Sequence, residues 1–241
     1  MPELGIIMEK TSKSQIKLVK SLQLKKYRDE LGLFVAEGEK CISELTKAFE
    51  LVYLYREGEN ATRTEIEQMS GLRTPQGVIA VFREKPIEDW KLKIEDLVLA
   101  LDGIQDPGNL GTIIRTCDWF GVHDIFCSLD TADCYNPKVV QATMGALARV
   151  RIHYVDLPEW LAAQKYPIIG TLLEGHNMYE ASLPKQGIVV MGNEGNGISQ
   201  EVRKLVTHPI LIPSYPKNAE TSESLNVSIA TAIVLAEFRR P

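Results

Sequence analysis

The stretch LDGIQDPGNLGTIIRTCDWFGV, Leu101–Val122, decides how the rest of the chain is read. Leu97–Leu101 is an apolar strand, and Asp106, Pro107, Gly108 and Asn109 form a turn beyond its carboxyl end. Leu110, Ile113, Ile114 and Cys117 then recur at i, i+3, i+4 and i+7, the spacing of one buried helical face. Thr112, Arg115 and Trp119 fall on another face. Asn109 is a good N-cap for this helix. Gly111, one turn before Arg115, removes bulk over that side chain, and Gly121 marks the helix end. A guanidinium on the first turns of a helix that opens at a strand end suits an anionic phosphate. Taken alone, the stretch fits a structural turn and a surface arginine slightly better.

The same alternation of strand and helix extends outward in both directions. After Leu97–Gly103 and a helix over 109–120, the pattern predicts strands at 123–128, 150–155, 167–173, 187–192 and 208–213. Helices are expected at 137–148, 158–164, 198–206 and 224–239. Short, nearly wholly apolar strands separated by helices predict a parallel sheet covered on both faces. In such sheets ligands sit at the carboxyl ends of the strands. Upstream, residues 12–29 read as one helix carrying Ile16, Val19, Leu22 and Leu24. FVAEGEKCISELTKAF reads as a strand, a turn and a helix to about Phe49; a strand at 51–55, a helix near 62–70 and the strand of TPQGVIAVFRE complete a small α/β unit. Polar EKPIEDWKLK, Glu84–Lys93, reads as a linker, which divides the chain into 1–90 and 91–241.

Composition excludes several classes. No apolar run approaches the roughly 20 residues needed to cross a bilayer, and the N-terminus lacks the apolar core of a signal peptide. Cys41, Cys117, Cys127 and Cys134 form no CxxC pair, which fits reduced thiols in a cytosol. The four histidines are equally dispersed, so no protein-bound metal is expected. The net charge is −5, yet Lys10, Lys13, Lys17, Lys20, Lys25, Lys26 and Arg28 run without an acidic residue between them. Such a segment can neutralise phosphates locally, or serve only as a solvated helix face.

Two further strand ends carry polar sets. In GIVVMGNEGNGIS, 187–199, a strand runs into Gly192, Asn193, Glu194, Gly195, Asn196 and Gly197. The glycines are spaced G-x-x-G-x-G, not as the dinucleotide fingerprint, and no Lys-Ser/Thr follows as a P-loop requires. Glu194 would repel a pyrophosphate and suits a cationic or hydroxyl-bearing ligand. In ILIPSYPKNAETSESLNVSIATAIVLAEFRR, 210–240, a strand stops at Pro213, and Ser224-Leu225-Asn226 precede an almost unbroken apolar helix. Ser224 and Asn226 would serve as helix caps on the plainest reading. The helix itself belongs in a core or a subunit interface.

Together, DPGNLGTIIRTCDWFGV, GNEGNGIS, and Ile212-Pro213 with SLNVSIATAI resemble the three motifs of the SpoU (TrmH-type) family of the SPOUT class. These are RNA ribose 2′-O-methyltransferases that use S-adenosylmethionine. The likeness covers roughly 95–240; residues 15–83 more weakly resemble a small substrate-binding domain related to a ribosomal-protein fold. The resemblance implies a C-terminal trefoil knot and a cytoplasmic homodimer acting on ribosomal or transfer RNA, with no membrane partner. It implies that Asn109, Arg115, Glu194, Ser224 and Asn226 are catalytic or substrate-facing. The backbone around Thr171, Leu172, Gly192, Asn193, Gly195, Ile212, Pro213 and Leu225 would hold S-adenosylmethionine. The loop SYPKNAETSE, 214–223, departs from the family in its length and its lack of glycine.

Direct methyl transfer requires chiefly alignment of the methyl with the ribose oxygen. Arg115 is then read as binding the neighbouring phosphate and the developing alkoxide, because a free arginine has a pKa above about 12 and is a poor base. Two competing readings are an RNA-binding module without catalysis, which needs only the basic segment, and a Rossmann dehydrogenase, whose glycine fingerprint is missing.

Overall fold

The structure, a computed structural model, describes residues 10–85, 97–216 and 224–240. Most of the expected linker, the boundary near 90 and residues 217–223 of the long loop lie outside that range. In chain order the first elements are α1 (Lys13–Ser21), α2 (Lys25–Leu31), β1 (Leu33–Glu37), α3 (Glu39–Leu45), β2 (Leu51–Arg56), α4 (Arg63–Met69) and β3 (Val78–Arg83). There follow β4 (Leu97–Asp102), α5 (Pro107–Trp119), β5 (Asp124–Ser128), α6 (Pro137–Thr143), a 3₁₀ turn (Ala146–Ala148), β6 (Arg151–Val155) and α7 (Leu157–Ala162). The last are β7 (Ile168–Asn177), β8 (Gly187–Gly192), α8 (Gln200–Arg203), β9 (His208–Leu211) and α9 (Val227–Phe238). Among the described residues, 10–85 and 133–149 form one compact unit, and 97–132 and 150–240 the other.

The first unit is built on a three-stranded antiparallel sheet in the order β1-β3-β2. Its chain entry departs from the expected single helix over 12–29. Leu22 is fully buried, but Leu24, two residues on, falls about 200° around a helix from it. The helix therefore ends at Leu22, and α2 restarts with Leu24 as its N-cap, 60% exposed. The new phase buries Arg28, whose Nε and Nη2 donate to Asp133 Oδ2 at 3.0 and 2.5 Å and whose Nη1 donates to the Leu22 carbonyl. Phe34 stacks on Tyr135 at 4.7 Å, so the segment 133–149 completes this unit's core. The helix expected over 137–148 breaks at Met144, which adopts φ 52, and Gly145, φ 91. A Cβ on Gly145 would lie 2.5 Å from Glu44 Cβ, so this turn admits no side chain there.

The second unit is a six-stranded sheet in the order β6-β5-β4-β8-β7-β9, with every pair parallel. Strands β4, β5 and β8 are buried almost end to end, as a sheet covered on both faces requires. Val98, Ala100, Phe126, Ile188 and Val190 pack with Leu157 and Leu161 of α7 and Val202 of α8. The alternate residues Leu99, Leu101, Ile125, Cys127 and Val189 point to the opposite face and are fully buried too. Helix α9 packs on α5 and β8. Strand β7 runs past its expected end at 173: it pairs with β9 at Thr171, bulges, and pairs again from His176. Gly175 sits in that bulge, where a Cβ would come within 2.4 Å of the Ile210 backbone, so no side chain is accommodated. Helix α8 is shorter than the expected 198–206 and β9 shorter than 208–213.

One charge is buried in this sheet. Asp124, 6% exposed, accepts from Arg151 Nε and Nη2 and lies 2.9 Å from His153 Nε2. Burial alone would raise its carboxyl, but the hydrogen bonds from His153 and Arg151 outweigh it and hold the group at about 2. A depressed carboxylate contributes stability that is present above its unfolded value of 3.8 and is lost as pH falls through about 2. Asp124→Asn is therefore expected to destabilise the protein by about 2 kcal/mol at neutral pH. Urea midpoints of the two proteins should converge as the pH drops toward 2; a gap that persists unchanged at low pH would contradict this origin.

Candidate active site

The strand order sets the location of the site. From β4 the chain moves outward through β5 and β6, then resumes on the other side with β7 and β8, so β4 and β8 flank the reversal. That reversal opens a crevice beyond the carboxyl ends of the two strands. Asp102 closes β4 in register with Gly192 at the end of β8.

The loops that leave these two ends are tied to each other. Asn193 Nδ2 donates to the Gly103 carbonyl at 2.6 Å, and Asp102 Oδ2 accepts from Ser199 N at 2.7 Å. The Asn193 side-chain oxygen accepts from the N–H groups of Gly195 and Asn196, and its backbone pairs both ways with Gly197. A Cβ on Gly192 would lie 2.2 Å from the Gly197 carbonyl carbon, so this turn closes only over glycine. Gly195 differs: its added Cβ would meet only Asn193 Oδ1, at 3.6 Å, an ordinary contact. Packing within the chain does not require glycine there, which leaves room against the loop for a bound group. From the far side, Ser128 Oγ accepts from Gly103 N at 2.8 Å and donates to Asp130 Oδ1 at 2.6 Å.

Helix α5 starts two residues earlier than its apolar spacing suggests. Pro107 occupies the first turn, and Asp106, not Asn109, is the N-cap, accepting from Asn109 N at 2.8 Å. Proline has no N–H to satisfy and is pre-set for that position. The Asn109 side chain is thereby released from capping. Its Nδ2 donates to Glu194 Oε1 at 3.0 Å, and its Oδ1 accepts from Asn226 Nδ2 at 2.9 Å. Asn226 is itself the N-cap of α9, accepting through Oδ1 from Ser228 N, Ser228 Oγ and Ile229 N. One polar chain thus joins the three strand ends through Asn109, Glu194 and Asn226.

Arg115 lies on the same helix, about 9 Å further along the axis from Asn109. It is exposed beside Thr112 and Trp119, opposite the buried Leu110, Ile113, Ile114 and Cys117, and pairs with none of the described residues. Among the expected cofactor-binding positions, Thr171 donates from Oγ1 to the Val190 carbonyl at 3.3 Å, and Leu172 packs on the core beneath. Gly192, Asn193 and Gly195 form the β8 turn, while Ile212 and Pro213 are half-buried just beyond β9. Strands β8, β7 and β9 are neighbours, so these positions line one edge of the sheet. The Asn193 side chain is fully engaged in holding the turn. Ser224 and Leu225 are exposed on the approach to α9, with Leu225 at 49%. Among the described residues no group of three or more His, Cys, Asp or Glu side chains could hold a metal, and no helix is long and apolar enough to cross a membrane.

Sequence reasoning missed Asp102, Asp106, Ser128 and Ser199, which do not face the crevice chemistry but fix the loops that do. For Asp106 a signal was available: an Asp-Pro pair at a helix start places the cap before the proline. The others become legible only once β4, β5 and β8 are known to be neighbours.

Comparison with known proteins identifies the family. The model of the SpoU rRNA Methylase family matches residues 96–236, and that of an MRM3-like substrate binding domain matches 13–64. The 23S rRNA (guanosine(2553)-2′-O)-methyltransferase RlmP of Bacillus subtilis is 28% identical over 96% of this chain and 98% of its own length. A TrmH-family structure from Porphyromonas gingivalis is 38% identical, with a TM-score of 0.85 over 95% of this chain and 98% of that one. An AdoMet-bound rRNA methyltransferase from Sinorhizobium meliloti is 30% identical, with a TM-score of 0.83 over 96% and 97% of the two chains. With the family model matched across more than half of its length, the chain belongs to the SpoU rRNA Methylase family.

Proposed function

We propose that this protein is an S-adenosylmethionine-dependent methyltransferase that methylates a ribose 2′-OH of ribosomal RNA, as a cytoplasmic homodimer. The observation that carries the reading is the hydrogen-bonded chain Glu194–Asn109–Asn226 at the reversal point of a parallel sheet. Family membership and full-length likeness to a 23S rRNA 2′-O-methyltransferase favour ribosomal over transfer RNA. Exposed apolar side chains on the two helices packed together, Trp119 at 85% and Ile229 at 52%, support a second copy covering α5 and α9. Sedimentation in solution tests that assembly.

S-adenosylmethionine supplies a methyl group on a sulfonium, and the residues present fit it. The β8 turn offers an open side at Gly195, the edge at Thr171, Leu172, Ile212 and Pro213 is half apolar, and Leu225 stands exposed nearby in sequence. No cationic side chain stands among those positions to repel a sulfonium. Within the chain, Asn109 orients Glu194 and Asn226, and these two present an acceptor and an amide toward the crevice. Arg115, which pairs with none of the described residues, binds the phosphate beside the target ribose and stabilises the 2′ oxygen as its proton passes to water. Ser224 lines the substrate side.

The reaction class is tested by transferring a labelled methyl from S-adenosylmethionine to rRNA and digesting the product with alkali. Alkali cleaves RNA through the free 2′ oxygen, so label retained in uncleaved dinucleotides is expected; label released with mononucleotides would overturn the reading. Arg115→Ala is expected to lower turnover by about 10²–10³-fold while S-adenosylmethionine affinity by calorimetry stays near that of the wild type. Asn109→Leu, which removes both bridging hydrogen bonds at similar size, is expected to cost about 10²-fold in turnover with a normal melting temperature. Undiminished turnover in either variant would remove that residue from the site.

A further inference from the structure

Helix α1 carries a charge pattern that works against its own stability. Lys13, Lys17 and Lys20 stand at i, i+4 and i+7, so like charges face each other along one side. Lys13 also opens the helix, where the macrodipole disfavours a cation, and the first turn has no acidic residue to offset it. The helix is held instead by a capping box between Ser12 and Gln15 and by burial of Val19.

The fold treats the basic segment unevenly. Arg28 is buried against Asp133, and Lys25 is paired with Asp29 at 2.8 Å. Lys13, Lys17 and Lys20 are exposed and pair with no described residue. The three line a groove of about 580 Å³ between α1 and α4, together with Ile16, Ser21 and Gln68. Its lining holds no carboxylate, one apolar side chain and one side-chain amide. Three ammonium groups spread over about 10 Å of helix match consecutive charges on a polyanion.

We propose that the α1–α4 groove is a seat for a single strand of the substrate RNA. Lys13, Lys17 and Lys20 engage successive phosphates, Ile16 supports a ribose or base face, and Gln68 hydrogen-bonds a base edge. This deepens the RNA reading above and rests on it, but it assigns a surface of the first unit, apart from the cofactor positions.

The test uses the full chain and a short single-stranded oligoribonucleotide, with affinity followed by fluorescence anisotropy through a potassium chloride series. Replacing Lys13, Lys17 and Lys20 together with Gln is expected to weaken binding at least about tenfold and reduce the salt slope by about 2, at roughly 0.7 per phosphate contact on a single strand. Gln68→Ala is expected to weaken binding a few-fold with the slope unchanged, and Lys25→Gln to leave both near wild type. Calorimetry with S-adenosylmethionine on the triple variant should match the wild type, which shows that the chain is folded. Unchanged affinity and slope in the triple variant would overturn the proposal, as would an equal loss from Lys25→Gln, which would mean diffuse charge and not the groove. Failure of the wild type itself to bind S-adenosylmethionine would instead strike the methyltransferase reading, while the RNA measurement still decides the groove.

Discussion

The geometry of the site depends on a single amide used in both directions. Asn109 gives its N–H to Glu194, 85 residues away in the chain, and receives one from Asn226, 117 residues away. A carboxylate in its place could accept from Asn226 but would oppose Glu194; a lysine could donate but would accept nothing. Only a side-chain amide of this length meets both partners. It is free to do so because Asp106 and Pro107 start the helix without it. A local choice at a helix cap therefore decides whether three distant strand ends can meet.

The same economy governs the loops around it. Beyond the sheet edge there is little apolar area to bury, so the turns are fixed by polar cross-links from neighbouring strands: Asn193 to Gly103, Ser199 to Asp102, Gly103 to Ser128. Each contributes about 1 kcal/mol net, which is small beside the core, but leaving one buried partner unpaired costs more. Their value lies in precision. Two loops held by several short bonds cannot drift apart without breaking all of them, and alignment within a fraction of an ångström is what methyl transfer demands. Parallel strands make this possible, since they deliver all their carboxyl ends to one edge.

Much of this was legible in the sequence, and the reasons differ by residue. The buried stripe Leu110, Ile113, Ile114 and Cys117 follows from helical period alone, and the apolar runs of β4, β5 and β8 follow from burial on both faces. The three polar strand ends were readable as a set because parallel sheets place function there. Misreadings arose where a tertiary neighbour overrode local pattern. Between residues 12 and 29 the two-residue spacing of Leu22 and Leu24 was the one local sign of a break, and the burial of Arg28 against Asp133 shows what the new phase gains. Likewise α6 ends at Met144 in a left-handed turn, and Gly145 beyond it lies too close to Glu44, a hundred residues earlier, to carry a side chain. Asn109 was read as a cap because its type suits one; its actual role required knowing that Glu194 lay opposite.

Net charge is a poor guide to the partner of such a protein, and the reason is one of range. At physiological ionic strength charges are screened over about 8 Å, so a surface answers to its nearest groups and not to a total of −5. Within that range the fold sorts its cations. Arg28 is spent on a buried carboxylate, where removal of either partner would strand the other, and Lys25 is neutralised one turn along its helix by Asp29. Lys13, Lys17 and Lys20 are left side by side along one wall of a groove whose lining holds no acidic side chain. Arg115, on the exposed face of α5, likewise pairs with none of the described residues, although Glu194 is held close to the start of the same helix. Glu194 is engaged instead by the amide of Asn109. Cations that pair with no described residue are positions where an anionic partner meets less competition, and both units present them.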